Sequence, residues 1–399
     1  TAYRITVASR RSGPADLWDS GRVESDRTNG IVYGGKKLTS QQRAWWRVEV
    51  WDEVWSKTKS SRTSTASFWE MGLLKTQDWG GDWIGTALAG GPESTIPSPY
   101  LRTLFNVGKK VATARLNVTA LGLYEFQING QRIGNDEFTP GWTDYAKRVQ
   151  YQAYDITSQL RDGANAAGAI LGDGWYCGRV GWRNRAYYGD RPKLRAKIVI
   201  TFKDGSEQSV VTDSSWKTAF GAIQENDIMH GESCDARREL IGWSKPEYRD
   251  QDWDNVETFA HPAIELSPTI GQLVRNTEEI SPIAAPTSST VEVGPDSSWI
   301  FDLGQNIAGR VRLKIKGKTG QVIRLRYGEV LNKDGTLYTD NLRKARVTDF
   351  YTLRGDSKGE TWEPKFTFHG FRYVELRGHD EALTTDAITG IVLHSDTPR

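Results

Sequence analysis

Four acidic side chains, Glu225, Asp227, Glu232 and Asp235, fall within eleven consecutive positions. Two carboxyls so placed could work together, one protonated as a general acid and one ionised as a general base. The spacing permits such a pair but does not specify it, and loop carboxylates more often are solvated, ion-paired or bound to a cation. The aromatic content offers different chemistry. The 399 residues include 16 Trp, 15 Tyr and 12 Phe. Flat aromatic rings suit the apolar C–H faces of sugars, although β-rich cores use the same residues for packing. The histidines His230, His261, His369, His379 and His394 show no metal-ligand spacing. The sequence has no glycine-rich phosphate loop, no Gly-x-Ser-x-Gly elbow and no Cys-x-x-Cys. Cys177 and Cys234 are too few for a disulfide scaffold. Two buried free thiols are expected, with a single disulfide as the alternative.

The elements that would position these residues read as strands. Period-two alternation recurs, with turn signals between the runs. Arg115 to Ile128 alternates and meets Asn129-Gly130, a type I′ hairpin signal. Leu194 to Phe202 turns at Asp204-Gly205 and returns through Gln208 to Thr212. Arg310 to Ile315 turns between Gly317 and Gly320 and returns through Val322 to Tyr327. Arg372 to Arg377 is a further strand. No long stretch has helical periodicity, so an all-β chain of consecutive sandwiches is expected. Three modules follow from the pattern: 1–85, a fibronectin or immunoglobulin-like sandwich lacking its first strand; 96–265, a longer sandwich with many loops; and 270–395, a third sandwich. Ala87 to Pro99 and Pro282 to Ser289 read as linkers. Asn117-Val118-Thr119 is a formal glycosylation acceptor inside a predicted strand, so no modification is expected there. Lys plus Arg number 52 and Asp plus Glu 50, a formal net charge of +2. That balance gives no support for a nucleic-acid partner, and the apolar runs are too short for a membrane-crossing helix.

Several runs together resemble the α-L-rhamnosidases of glycoside hydrolase family 78. They include Leu17-Trp18-Asp19-Ser20-Gly21 and Trp45-Trp46-Arg47-Val48 in the first module. In the second they include Thr139-Pro140-Gly141-Trp142-Thr143-Asp144-Tyr145, Leu171-Gly172-Asp173-Gly174-Trp175-Tyr176 and Gly231-Glu232-Ser233-Cys234-Asp235-Ala236-Arg237. In the third they include Asp302-Leu303-Gly304-Gln305-Asn306 and Phe366-Thr367-Phe368-His369-Gly370-Phe371-Arg372-Tyr373. The resemblance covers essentially the whole chain. It implies a galactose-binding-like jelly roll for the second module and a concanavalin-like sandwich for the third. It further implies that a catalytic (α/α)6 barrel follows Arg399, so that no catalytic residue lies in this chain. An inverting glycosidase would need carboxyls about 6.5–9.5 Å apart, and the Glu232–Asp235 segment is not expected to supply them.

The resemblance also suggests a rhamnose-binding module that uses calcium. Calcium takes six to eight oxygens, and two loops could offer some: Gly181 to Asp190, with Asn184 and Asp190, and Glu225 to Ile228, with Asn226 and Asp227. The metal set expected is Asn184, Asn226 and Asp227, and the carbohydrate contacts expected are Trp182, Asn184, Arg185 and Tyr187. Arg183 and Arg185 flanking Asn184 disfavour a cation there, and arginines can instead donate to sugar hydroxyls. Asp302, Gln305, Arg343 and His369 are expected to buttress the barrel. Implied partners are a rhamnose-containing carbohydrate and the barrel itself, with a homodimer as one assembly. A stand-alone rhamnose-binding lectin and a purely structural scaffold are the alternatives. The compartment stays open between secreted and cytoplasmic.

Overall fold

The computed structural model describes residues 1–52, 61–288 and 297–397 and divides into two compact units, Thr1–Gly80 and Gly81–Arg399. In the first unit, Ala2–Ala8 lies between Trp18–Asp19 and Arg43–Trp51, and Val23–Glu24, Arg62–Thr63 and Ser67–Glu70 complete a six-stranded sheet. Val7 and Ala44 form its apolar centre with Leu38, and Trp18, Tyr33, Trp46 and Trp69 pack against them. Loop residues such as Tyr33 and Leu38 thus supply much of the layer opposite this sheet.

The second unit contains three sheets. The first two enclose one apolar cluster. Leu116, Val118, Ala120 and Ile198 come from a seven-stranded sheet, and Phe126, Ala167, Ala169 and Leu171 from a six-stranded one. Nearly all are fully buried, as expected where alternate residues of facing strands point inward. The run from Arg115 to Ile128 does not stay in one sheet. Val111–Leu121 pairs with Lys193–Phe202, whereas Leu123–Ile128 pairs with Gly163–Gly172. Gly122 makes the crossing at φ +119°, where a Cβ would sit 2.5 Å from the Gly172 carbonyl oxygen, so a larger residue is excluded. Asn129 and Gly130 both have positive φ, and Ile128 pairs with Gln131, the geometry of the expected type I′ turn. Asn117 is a buried residue of Val111–Leu121.

The third sheet has eleven strands, with Ser298–Ile315 at its centre. Its core holds Phe301, Val311, Leu313, Leu325, Tyr327 and Val374. Three sequence expectations change here. Val322–Gly328 does not pair with 310–315: it pairs with His369–Arg377, whose other edge bonds to the 298–309 part of the long strand. Local alternation signals a strand but not its partner, and 310–315 is taken up instead by Ile388–Ser395 and Glu360–Trp362. Trp83–Gly85, read as the end of the first module, pairs with Glu257–Phe259 and reaches Lys193–Phe202, inside the second unit. The Ile223–Asp227 and Gly231–Asp235 hairpin, read within the second module, joins the eleven-stranded sheet by parallel pairing of Gly231–Asp235 with Thr348–Thr352. The reading of Pro282 to Ser289 as a linker reaches beyond the described residues at Ser289, and Thr287–Ser288 pairs with Trp299 and Ile300. Among the described residues the only α-helix is Gly174–Cys177, in keeping with the absence of helical periodicity.

Candidate functional site

The short helix Gly174–Cys177 sits where the strand Gly163–Gly172 ends, and the loop 178–192 leads from it into Lys193–Phe202. This loop carries all four expected sugar contacts, but the structure separates them. Arg185 is 7% exposed and turns inward. Its guanidinium pairs with the Asp173 carboxylate, lies 3.3 Å from Asp227 Oδ2 and donates from Nε to the Ser94 carbonyl at 3.3 Å. Asp227, fully buried, also accepts the backbone N–H groups of Arg179, Met229 and His230 at 2.9–3.1 Å. Burial alone would lower the Arg185 guanidinium, yet Asp173 and Asp227 hold it above its ordinary range. Burial pushes Asp173 up to about 6, against the pull of Arg185.

Arg185, an expected carbohydrate contact, thus belongs to a buried ion-pair cluster. The residues of the expected calcium set have partners of their own. Asn226 Oδ1 accepts the Asp173 N–H at 2.7 Å, and its amide donates to Ser98 Oγ at 3.0 Å. Asn184 is exposed, its amide 3.4 Å from Glu93 Oε1. Asp190 is taken by its neighbour Arg191. The positive charge that calcium would bring to Asp227 is already supplied by a guanidinium, and a second cation there would be repelled. Among the described residues, no group of three or more His, Cys, Asp or Glu side chains is placed to hold a metal. Cys177 and Cys234 are buried and unpaired with each other.

The outer side of the same loop is aromatic. Trp182 is 83% exposed and Tyr187 47%. The Arg343 guanidinium lies 5.0 Å from the Trp182 ring, and that of Arg183 4.1 Å from the Tyr187 ring. Tyr187 packs edge-on against Tyr188, with centroids 4.7 Å apart, and Tyr188 against Tyr145 at 5.2 Å. Trp142 stacks on Trp175 at 6.0 Å and 9° between planes, while remaining 56% exposed. Trp142 thus rests on Trp175, and Tyr187 on Tyr188 and Tyr145, while Trp182 stands exposed in the same loop as Tyr187 beside Arg343. Exposed rings of this size, gathered on one surface, are characteristic of ligand sites rather than of ordinary solvent-facing surface. Trp142 and Arg343 had no signal in the sequence tying them to this loop, because they come from distant segments, whereas Trp175 lies in the short helix that leads into it. Arg343, expected at a domain interface, is placed here by the short 3-10 turn Asp340–Leu342, at φ +56°.

The clustered carboxylates do not form an acid–base pair open to substrate. Glu232 is fully buried, and its Oε2 accepts the backbone N–H groups of Lys365 and Phe366, each at 3.0 Å. Burial, with the nearby Asp349, pushes it up to about 7. That value would suit a general acid, but no substrate reaches a side chain with zero exposure. Asp235 is bound by Arg237 and held below the usual carboxylate range, and Glu225 pairs with Arg346. His369 is also buried, stacked on Tyr327 at 4.3 Å with Nε2 3.4 Å from Asp349. It is a core residue of the third sheet. Asp302 forms a two-pronged ion pair with Arg372 and accepts the Gly304 N–H, which closes a turn at φ +78°.

Comparison with known proteins places these units in context. Residues 1–75 match the domain family described as the Rha78A-like N-terminal immunoglobulin domain. Residues 109–278 match the α-L-rhamnosidase N-terminal domain, and residues 293–394 the bacterial α-L-rhamnosidase concanavalin-like domain. The chain is 37% identical to an α-L-rhamnosidase of Formosa agariphila over 99% of its own length and 43% of the relative. It is 41% identical to one of Streptomyces avermitilis, over 85% of this chain and 33% of that protein. The chain therefore spans less than half the length of these curated relatives. Among solved structures, α-L-rhamnosidase from Dictyoglumus thermophilum superposes with a TM-score of 0.89 at 35% identity, over 99% of this chain and 45% of that one. The Streptomyces avermitilis enzyme complexed with L-rhamnose superposes with a TM-score of 0.90 at 30% identity, over the whole of this chain and 54% of that one.

Proposed function

The chain belongs to the α-L-rhamnosidases, of which it carries the N-terminal immunoglobulin, N-terminal and concanavalin-like domains, and on that premise we propose that it is the non-catalytic front of an enzyme removing terminal α-L-rhamnose with inversion. Within that enzyme its own task is to hold carbohydrate. The observation that carries this reading is the exposure of Trp182, Tyr187 and Trp142, the last two packed on further aromatic rings. Sugar rings stack on such faces through their C–H groups, and Arg343 and Arg183 stand beside the rings to donate hydrogen bonds to hydroxyls. Binding needs no metal in this reading, because Arg185 already stands beside Asp227, the carboxylate of the expected calcium set. The covalent chemistry falls to residues outside those described, since each clustered carboxylate here is buried or ion-paired.

Calorimetry of this chain with L-rhamnose and with rhamnose-containing oligosaccharides, in calcium and in chelator, tests the reading. Equal binding in both, lost in Trp182→Ala, is the expected result. Binding that needs calcium, or that survives removal of Trp182 and Tyr187 together, would move the site elsewhere.

A further inference from the structure

The outer face of the first unit's sheet combines aromatic rings with guanidinium groups. Strand alternation puts Arg43, Trp45, Arg47, Glu49 and Trp51 on one face of Arg43–Trp51, opposite the face from which Ala44 and Trp46 join the apolar cluster. Ala8 and Ala2 stand directly across from Trp45 and Trp51, so no bulky side chain competes with either ring on that neighbouring strand. On the other side Phe68 pairs with Trp45, their ring centroids 4.8 Å apart, and Phe68 is 47% exposed. Arg11 and Arg43 approach the Trp45 ring at 5.6 and 6.0 Å, Arg43 lies 4.5 Å from the Phe68 ring, and Arg22 lies 5.1 Å from the Trp51 ring.

The charge of the unit follows the same pattern. Residues 1–80 hold 13 Lys and Arg against nine Asp and Glu, a net +4. The whole chain is only +2, so the other 319 residues are slightly acidic. Part of the face is internally matched, with Arg43 on Glu70, Arg22 on Glu24, and Arg4, directly across from Glu49, on Asp19. The excess of cations over carboxylates remains in residues 1–80 as a whole. Trp45 and Trp51 are six residues apart along an extended strand, roughly 20 Å, a span suited to an extended polymer rather than to a single sugar.

We propose that this face binds an acidic polysaccharide, its rings receiving the apolar faces of the sugars and its guanidinium groups pairing with their carboxylates. The proposal is independent of the Trp182 surface, which belongs to the second unit and has a different ligand. Rim cations of this kind give salt-dependent attraction, and the rings select a sugar backbone over other polyanions.

The test is affinity electrophoresis and calorimetry of the whole chain with polygalacturonate. Dextran serves as the neutral polymer and a thymidine oligonucleotide as the non-sugar polyanion. Binding to polygalacturonate is expected to weaken at least about tenfold between roughly 0.05 and 0.5 M salt. Trp45→Ala should weaken it about tenfold and Arg11→Gln about threefold, while Ile270→Ala, at an exposed position of the second unit, leaves it unchanged. Arg11→Gln guards against misfolding, because the contact of Arg11 with Arg47 is made through its backbone carbonyl. Equal binding of dextran, oligonucleotide binding as tight as that of polygalacturonate, or insensitivity to both first-unit variants would each overturn the proposal.

Discussion

Glu232→Gln should change how the stability of the second unit depends on pH, and the size of the change follows from the burial of this one carboxyl. Glu232 is completely enclosed, and its folded-state pKa is raised from 4.5 to about 7. Because the folded pKa lies above the unfolded one, the proton is held more tightly in the fold. Stability is then greatest below the unfolded value and falls as pH rises through the folded one. The full shift corresponds to about 3 kcal/mol, most of which is lost between pH 5 and pH 8. Gln keeps a carbonyl oxygen for the N–H groups of Lys365 and Phe366 and cannot titrate. The gap between wild type and variant should therefore move by about 2–3 kcal/mol in the variant's favour across that window. Asp173, pushed up to about 6, adds a trend of the same sign to both proteins and cancels in the difference. For a unit of 319 residues unfolding in one transition, a change of that size is roughly 4 °C in Tm. Thermal unfolding of both proteins at pH 5 and pH 8, followed by tryptophan fluorescence, measures it. Parallel pH curves would show that Glu232 ionises freely in the fold, and the account of its burial would be wrong.

Three further outcomes follow. Arg185→Met strands Asp173 and Asp227 in the interior and should cost about 3–5 kcal/mol, read by urea denaturation; a neutral effect would show that the cluster is hydrated and open. Calcium at millimolar concentration should leave Tm unchanged in the wild type, since no cage of oxygens surrounds Asp227; a clear rise would restore the metal reading. Gly122→Ala places a Cβ 2.5 Å from the Gly172 carbonyl oxygen at a φ that L residues avoid, and should destabilise by about 2 kcal/mol or more, whereas Gly205→Ala meets no atom within 4 Å and should bear only the backbone strain.

The strands were legible because alternation and turn chemistry are local. Asn129-Gly130 dictates a two-residue hairpin wherever it joins alternating runs, and Asp204-Gly205 likewise turns Lys193–Phe202 back into Glu207–Val211. Partnership was not legible. Nothing near 310–328 announces that Val322–Gly328 will pair with His369–Arg377, some fifty residues later. The site was half legible for the same reason. Trp182 and Tyr187 stand in a loop rich in polar and glycine residues, which marks them as candidates for exposure. Asn184, Arg185, Asn226 and Asp227 have the right atoms for sugar or metal, but their direction is decided by burial. Asp173 and Asp227 draw Arg185 inward, and Asn226 is spent on a backbone N–H. The flanking arginines did carry a usable warning against calcium. Trp142 and Arg343 join the aromatic surface only through tertiary folding, so no spacing rule could have found them.

The central claim is that these residues hold carbohydrate while catalysis lies outside them. It is tested most directly by assaying this chain and the full-length enzyme side by side on an aryl α-L-rhamnoside. The account predicts release of the aglycone by the longer protein and none by this chain at any pH. Turnover by this chain alone would contradict it, and would require one of the carboxylates described here as buried or ion-paired to reach substrate.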